Sequence, residues 1–168
     1  YDLEKNQILL HSGTRERRAM PFGLFEFLWT DGGRWAMVAL TPGRLPASAR
    51  EARYASAATA LEQTGRIAEA QRAYAAMLER WPGNLIGLMG LGNTAYAQGR
   101  KAQAEAAFRD ATAAHPLAAA AFNNLAQTLA DQGKLDAALE AARKAVNLGG
   151  ASLPAAQATL EQILQQRR

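Results

Sequence analysis

The sequence contains no cysteine in its 168 residues. That absence excludes thiol catalysis, disulfide bridges and cysteine-rich metal sites for this chain. Histidine is almost as scarce: His11 and His115 stand far apart, which predicts no metal site. No motif predicts a cofactor. No run approaches the roughly 20 apolar residues that a membrane-spanning helix requires. Charge of one sign is also lacking, with 19 Lys and Arg against 15 Asp and Glu, net +4 and mixed along the chain. Nucleic-acid binders gather their bases into a stripe, so no nucleic-acid partner is expected. The chain opens at Tyr1 with neither Met nor a secretory leader, so an address label is expected to have been removed or never to have belonged to this stretch.

Aromatic residues are few and uneven. Six of them (Tyr1, Phe22, Phe25, Phe27, Trp29, Trp35) fall within residues 1–46. Ile8-Leu9-Leu10 and Trp35 to Leu40 read as short buried strands. Glu4 to Gln7 reads as a turn before the first of them. Phe22 to Trp29 reads as a short helix after Pro21, stopped by Asp31-Gly32-Gly33. A piece this small and this aromatic would struggle to bury its side chains alone, so it is expected to be the tail of a larger domain. Thr41 to Pro46, with two prolines, reads as a linker. Ser48-Ala49-Arg50-Glu51 reads as a capping box that starts a helix.

From there a period appears. Gly65, Gly99 and Gly133 stand 34 residues apart, as do Ala70, Ala104 and Ala138, and the same step joins Tyr74 to Phe108 and Pro82 to Pro116. A fixed period of that length on helical patterning means stacked helical hairpins. The breaks at the three glycines, at Pro82, at Pro116 and at Gly149-Gly150 define six helices and then a seventh. In the first helices, Tyr54/Ala57/Ala58/Leu61, Leu88/Leu91/Gly92/Ala95 and Phe122/Leu125/Ala126/Leu129 each make an apolar stripe. In the second helices, Ala70/Tyr74/Met77, Ala104/Phe108/Ala111 and Ala138/Ala142/Ala145 oppose them, small residues allowing close approach. Leu153, Ala156, Leu160 and Ile163 are expected to cover the last stripe, with Gln157, Glu161 and Gln165 facing water.

This pattern resembles the tetratricopeptide repeat. The expected fold is mainly α: a right-handed α-solenoid of three hairpins (51–84, 85–118, 119–152) and a capping helix (153–166) within a domain spanning 48–168, preceded by a small α+β segment. The third unit departs, with Ala142 in the place of the aromatic and Gly150 in the place of the proline. The resemblance implies a concave groove lined by the first helices, at Ala55, Thr59, Glu62, Met89, Asn93, Tyr96, Asn123, Gln127 and Asp131. Amides there suit an extended peptide backbone, and Met and Tyr offer adaptable apolar contact. The lysines with which some relatives hold a terminal carboxylate are replaced here by neutral or small residues.

Residues 1–47, with the LHSG turn, the aromatic stretch and RWAMVALTPGRLPA, resemble the end of a papain-like domain of bacterial peptidases related to the bacteriocin-leader-processing family. That resemblance implies a catalytic cysteine and histidine upstream, and the bacterial cell envelope or periplasm as location. It offers only His11 and Ser12 where a third catalytic residue often stands. A serine triad from His11, Ser12 and Asp31 is disfavoured, because neighbours on a strand point to opposite faces. Arg15 to Arg18 reads as a solvated hairpin face.

The leading expectation is therefore a non-catalytic scaffold that binds a peptide or protein segment. The alternative is the substrate-recruiting part of a cysteine peptidase. A third reading is a homo-oligomer formed through residues 1–47, whose apolar side chains invite a second copy.

Overall fold

The computed structural model describes residues 7–12, 15–21, 24, 42–47 and 49–167. The chain divides into two compact units, Tyr1–Ala39 and Leu40–Arg168. In the first, strands β1 (Gln7–Ser12) and β2 (Arg15–Pro21) pair antiparallel, with Ile8 opposite Met20 and Leu10 opposite Arg18. The register shifts between Leu10 and Ser12. The Ile8–Leu10 run lies in β1 as expected, together with His11 and Ser12, while Arg15 to Arg18 lie in β2. Gln7 opens β1 rather than ending a turn. Glu4–Asn6, Asp31, the Trp35–Leu40 strand and, apart from helical Leu24, the Phe22–Trp29 helix lie outside the described residues.

In the second unit, residues 42–47 have no regular structure, in keeping with their prolines. They are nonetheless tied down: the Arg80 guanidinium donates to the carbonyls of Pro46 and Ala47, both at 3.1 Å. Ser48 lies outside the described residues. The expected capping box does not start the first helix, which begins at Glu51 after an extended Arg50 without a side-chain cap. The carboxylate meant to reach back is engaged elsewhere, accepting from Asn84 Nδ2 at 2.5 Å.

Seven α-helices follow among the described residues: α1 (Glu51–Gln63), α2 (Ile67–Arg80), α3 (Leu85–Ala97), α4 (Lys101–Ala114), α5 (Ala119–Ala130), α6 (Leu135–Leu148) and α7 (Leu153–Gln166). A 3₁₀ turn, Gly150–Ser152, precedes the last. The sequence period passes into the backbone. First helices start at residues 51, 85 and 119 and the cap at 153, each one 34-residue step on; second helices start at 67, 101 and 135. Each helix packs on the next, and α1 on α3 and α5 on α7 as well, giving an α-solenoid of three hairpins and a cap.

The turn glycines explain the sharp reversals. Gly65, Gly99 and Gly133 have φ of 75°, 72° and 74°, the left-handed region closed to most side chains. The residue after each folds its N–H back onto the helix it leaves: Arg66 to Leu61 O and Arg100 to Ala95 O, both at 2.9 Å, and Lys134 to Leu129 O at 3.0 Å. Two side chains of these same residues bridge back to the hairpin before. Arg100 donates to Gln71, and Lys134 pairs with Glu105 at 2.6 Å.

The second-helix stripes are buried throughout, with Ala70, Ala104 and Ala138 at 0% exposure and Tyr74 and Phe108 at 2% or less. The first-helix stripes hold with one exception. Ala57 is exposed, whereas Leu91 one repeat later packs on the cluster that includes Ala70 and Tyr74 of the preceding hairpin; the described residues hold no helical hairpin before α1. The cap stripe holds, with Ala156 and Ile163 buried and Leu153 and Leu160 partly so; Gln157, Glu161 and Gln165 are exposed. Helix α3 is pinched from both sides. A Cβ at Gly90 would overlap the Tyr74 ring of α2, and one at Gly92 the Phe108 ring of α4. No described helix is long and apolar enough to cross a membrane.

Candidate functional site

The first helices present polar side chains at repeat-equivalent places, and the structure divides them into two groups. Thr59 and Glu62, on α1, are held by a core residue: Tyr74 Oη donates to Glu62 Oε2 at 2.7 Å and lies 3.3 Å from Thr59 Oγ1. Burial, and secondarily the Glu62 carboxylate, push the Tyr74 phenol up to about 12. Ala55, expected beside them in the groove, is instead buried at 2% exposure. Met89 is partly buried and packs against Leu88, Ala111 and Ala121.

The second group converges. Asn93, Tyr96, Asn123 and Gln127 line one cavity of about 180 Å³, completed by Asn124 of α5 and Thr159 of α7. Phe108 and Thr128 contribute its inner wall. Asp131, just past the end of α5, organises the rim. It accepts from the Tyr96 hydroxyl and, on its other oxygen, from Gln127 Nε2 at 3.2 Å; Lys101 Nζ holds its backbone carbonyl at 3.0 Å. The bond to Asp131 is the main reason that the Tyr96 phenol is pushed up to about 12, with desolvation adding to it. Asn124 Nδ2 donates to Asn93 Oδ1 at 3.1 Å, joining α5 to α3.

One polar atom has no partner in this arrangement. Asn123 Oδ1 is buried and accepts no hydrogen bond among the described residues. A buried acceptor left unpaired costs about 1–3 kcal/mol. No described cluster of His, Asp and Glu could hold a metal ion.

Two participants were hidden in the sequence. Asn124 stands beside Asn123 at a place with no polar counterpart one repeat earlier, where Gly90 lies against Tyr74. Thr159 shares its register with Leu91 and Leu125, so a polar residue at an apolar step was the available signal.

The comparisons agree with the geometry. The tetratricopeptide repeat model matches residues 55–107 and 89–156. The chain belongs to the tetratricopeptide repeat family. No curated protein matches it. Among solved structures, the repeat unit is similar to the Yersinia enterocolitica type III secretion chaperone SycD in complex with a peptide of the translocator YopD, at 17% identity and a TM-score of 0.65, over 73% of this chain and 100% of that one. It is similar to the TPR2B domain of yeast Sti1 in its pHsp70 complex, at 19% identity and a TM-score of 0.65, over 69% and 98%. It is also similar to the Sgt2 tetratricopeptide domain of Aspergillus fumigatus, at 21% identity and a TM-score of 0.64, over 76% and 84%. At these identities the likeness is one of fold.

Proposed function

We propose that this tetratricopeptide repeat protein is a non-catalytic interaction scaffold that holds an extended peptide against α3, α5 and α7. The observation that carries the reading is the unpaired Asn123 Oδ1, set in a cavity where Asn93 is tied to Asn124, and Tyr96 and Gln127 to Asp131. A peptide N–H supplies the missing donor, and the prior ordering of Tyr96 and Gln127 through Asp131 lowers the entropy lost on binding. Solved relatives that carry peptides on the same fold support this reading. Thr59, Glu62 and Met89 would extend the contact towards α1, beyond the cavity. The test is calorimetric titration with a peptide that the chain itself selects from a random-sequence display library. Asn123→Ala is expected to weaken binding about tenfold, the loss of one buried hydrogen bond. An unchanged affinity would move the site elsewhere.

A second reading attaches to residues 1–47. Their resemblance to the end of a papain-like domain supports a parent peptidase whose substrates the repeats recruit, with its cysteine and histidine encoded before Tyr1. A reading frame without that pair excludes it. Self-association through the same segment predicts a dimer in light scattering of the full chain, and a monomer at high concentration excludes it.

A further inference from the structure

The opposite face of the repeats carries a second surface. Between α4 and α6, over the outer side of α5, runs a furrow of about 660 Å³. Its floor is Phe122, left only partly covered; its walls carry Arg109 and Thr112 from α4 and Glu140, Arg143 and Lys144 from α6. Three cations face one carboxylate. Arg109 is engaged with Glu105, but Arg143 and Lys144 are exposed and form no ion pair among the described residues.

The repeat supplies its own control. One 34-residue step earlier, the places of Arg109, Glu140, Arg143 and Lys144 are taken by Ala75, Ala106, Arg109 and Asp110: one cation against one anion. The place of Phe122 is taken by Leu88, which is buried at 7% exposure with Leu78 packed against its cluster. In the later furrow the equivalent of Leu78 is Thr112, whose hydroxyl turns back to the Arg109 carbonyl at 2.9 Å. The step from Leu88 to Phe122 and from Leu78 to Thr112 therefore opens an aromatic floor, and that from Ala75 to Arg109 and from Asp110 to Lys144 surrounds it with positive charge.

We propose that this furrow docks an acidic peptide segment of a partner protein, one aromatic or aliphatic side chain settling on Phe122 and flanking carboxylates meeting Arg143 and Lys144. Nucleic acid fits less well. Glu140 stands in the wall, the cations are too few for a phosphate-tracking stripe, and the floor is an apolar seat. The site is independent of the cavity at Asn123, which opens among α3, α5 and α7.

The test is fluorescence anisotropy on the full chain, with a labelled peptide carrying a central Phe flanked by glutamates. The same peptide with glutamines and a single-stranded oligonucleotide serve as competing probes. The glutamate peptide is expected to bind, and to weaken as salt rises. The glutamine peptide is expected to bind about tenfold more weakly. The double variant Arg143→Glu, Lys144→Glu lies on exposed positions and is expected to fold normally, checked by thermal melting, while losing at least about tenfold in affinity. Phe122→Ala is expected to weaken binding with little change in the salt dependence. Equal affinity in the charge-reversed variant, equal affinity for the glutamine peptide, or binding of the oligonucleotide alone would each overturn the proposal.

Discussion

Tyr74 packs against Gly90, its ring filling the space where a side chain on α3 would stand, while its hydroxyl donates to Glu62. One residue thus seals the joint between the first two hairpins and fixes a polar side chain on the face proposed to bind peptide. Tyr74→Phe keeps the seal and removes the hydrogen bond. It is expected to lower stability by about 1 kcal/mol, measured by denaturant unfolding. The raised phenol has a further effect. Unfolded tyrosine ionises near 10.0 and Tyr74 only at about 12, so stability is full below the first value and declines as pH climbs between the two. The phenylalanine variant is expected to decline less steeply there.

Gly92 answers a different ring. Gly92→Leu places its side chain inside the Phe108 ring and is expected to cost about 1–3 kcal/mol or more. Gly90→Ala is expected to act likewise against Tyr74. Melting temperature is the readout, and an unchanged value for either variant would mean that α3 is not clamped between α2 and α4.

Glu105 predicts an acid response. The Lys134 hydrogen bond, helped by Gln132 and Arg109, outweighs desolvation and holds its carboxyl below the ordinary 4.5. The unfolded chain therefore takes up the proton first, and this contribution to stability is present above the ordinary value and lost as pH falls through the lowered one. Glu105→Gln is expected to cost about 1–3 kcal/mol near neutral pH, since the Lys134 ammonium loses its carboxylate. Wild type and variant are expected to converge in acid, followed by circular dichroism across a pH series.

Asn93→Ala separates binding from folding. Its amide accepts from Asn124 at the edge of the cavity, in a partly exposed setting. The loss in stability is expected to stay within about 1 kcal/mol, while affinity for a selected peptide falls roughly five- to tenfold. Paired melting and calorimetry check both halves.

The sequence made the repeating parts legible and concealed the singular ones. Helix starts at 51, 85, 119 and 153 follow from spacing alone, because each hairpin meets the same local demands. The failures share a cause. In the sequence Glu51 reads as a local cap, yet it is engaged by Asn84 of the next hairpin. The repeat place of Ala57 predicts burial, yet Ala57 is exposed, with no helical hairpin before α1 among the described residues. The Gly90–Tyr74 contact and the Glu105–Lys134 pair join residues in neighbouring hairpins without recurring in kind, so no period announces them. The cavity was half visible: Asn93, Tyr96, Asn123 and Gln127 stand at groove places, whereas Thr159 enters from a helix read only as a lid.

The two bridges between hairpins occupy equivalent places and differ in chemistry: a guanidinium on a neutral amide at Arg100–Gln71, and an ammonium on a buried carboxylate at Lys134–Glu105. Among the described residues the apolar cluster around Phe108 and Leu129 is also larger than that around Tyr74. Cohesion from α1 to α7 is therefore graded, rising towards the cap. Amide protons of α1 and α2 should exchange with solvent sooner than those of α5 and α6, as fraying runs inward from the looser end.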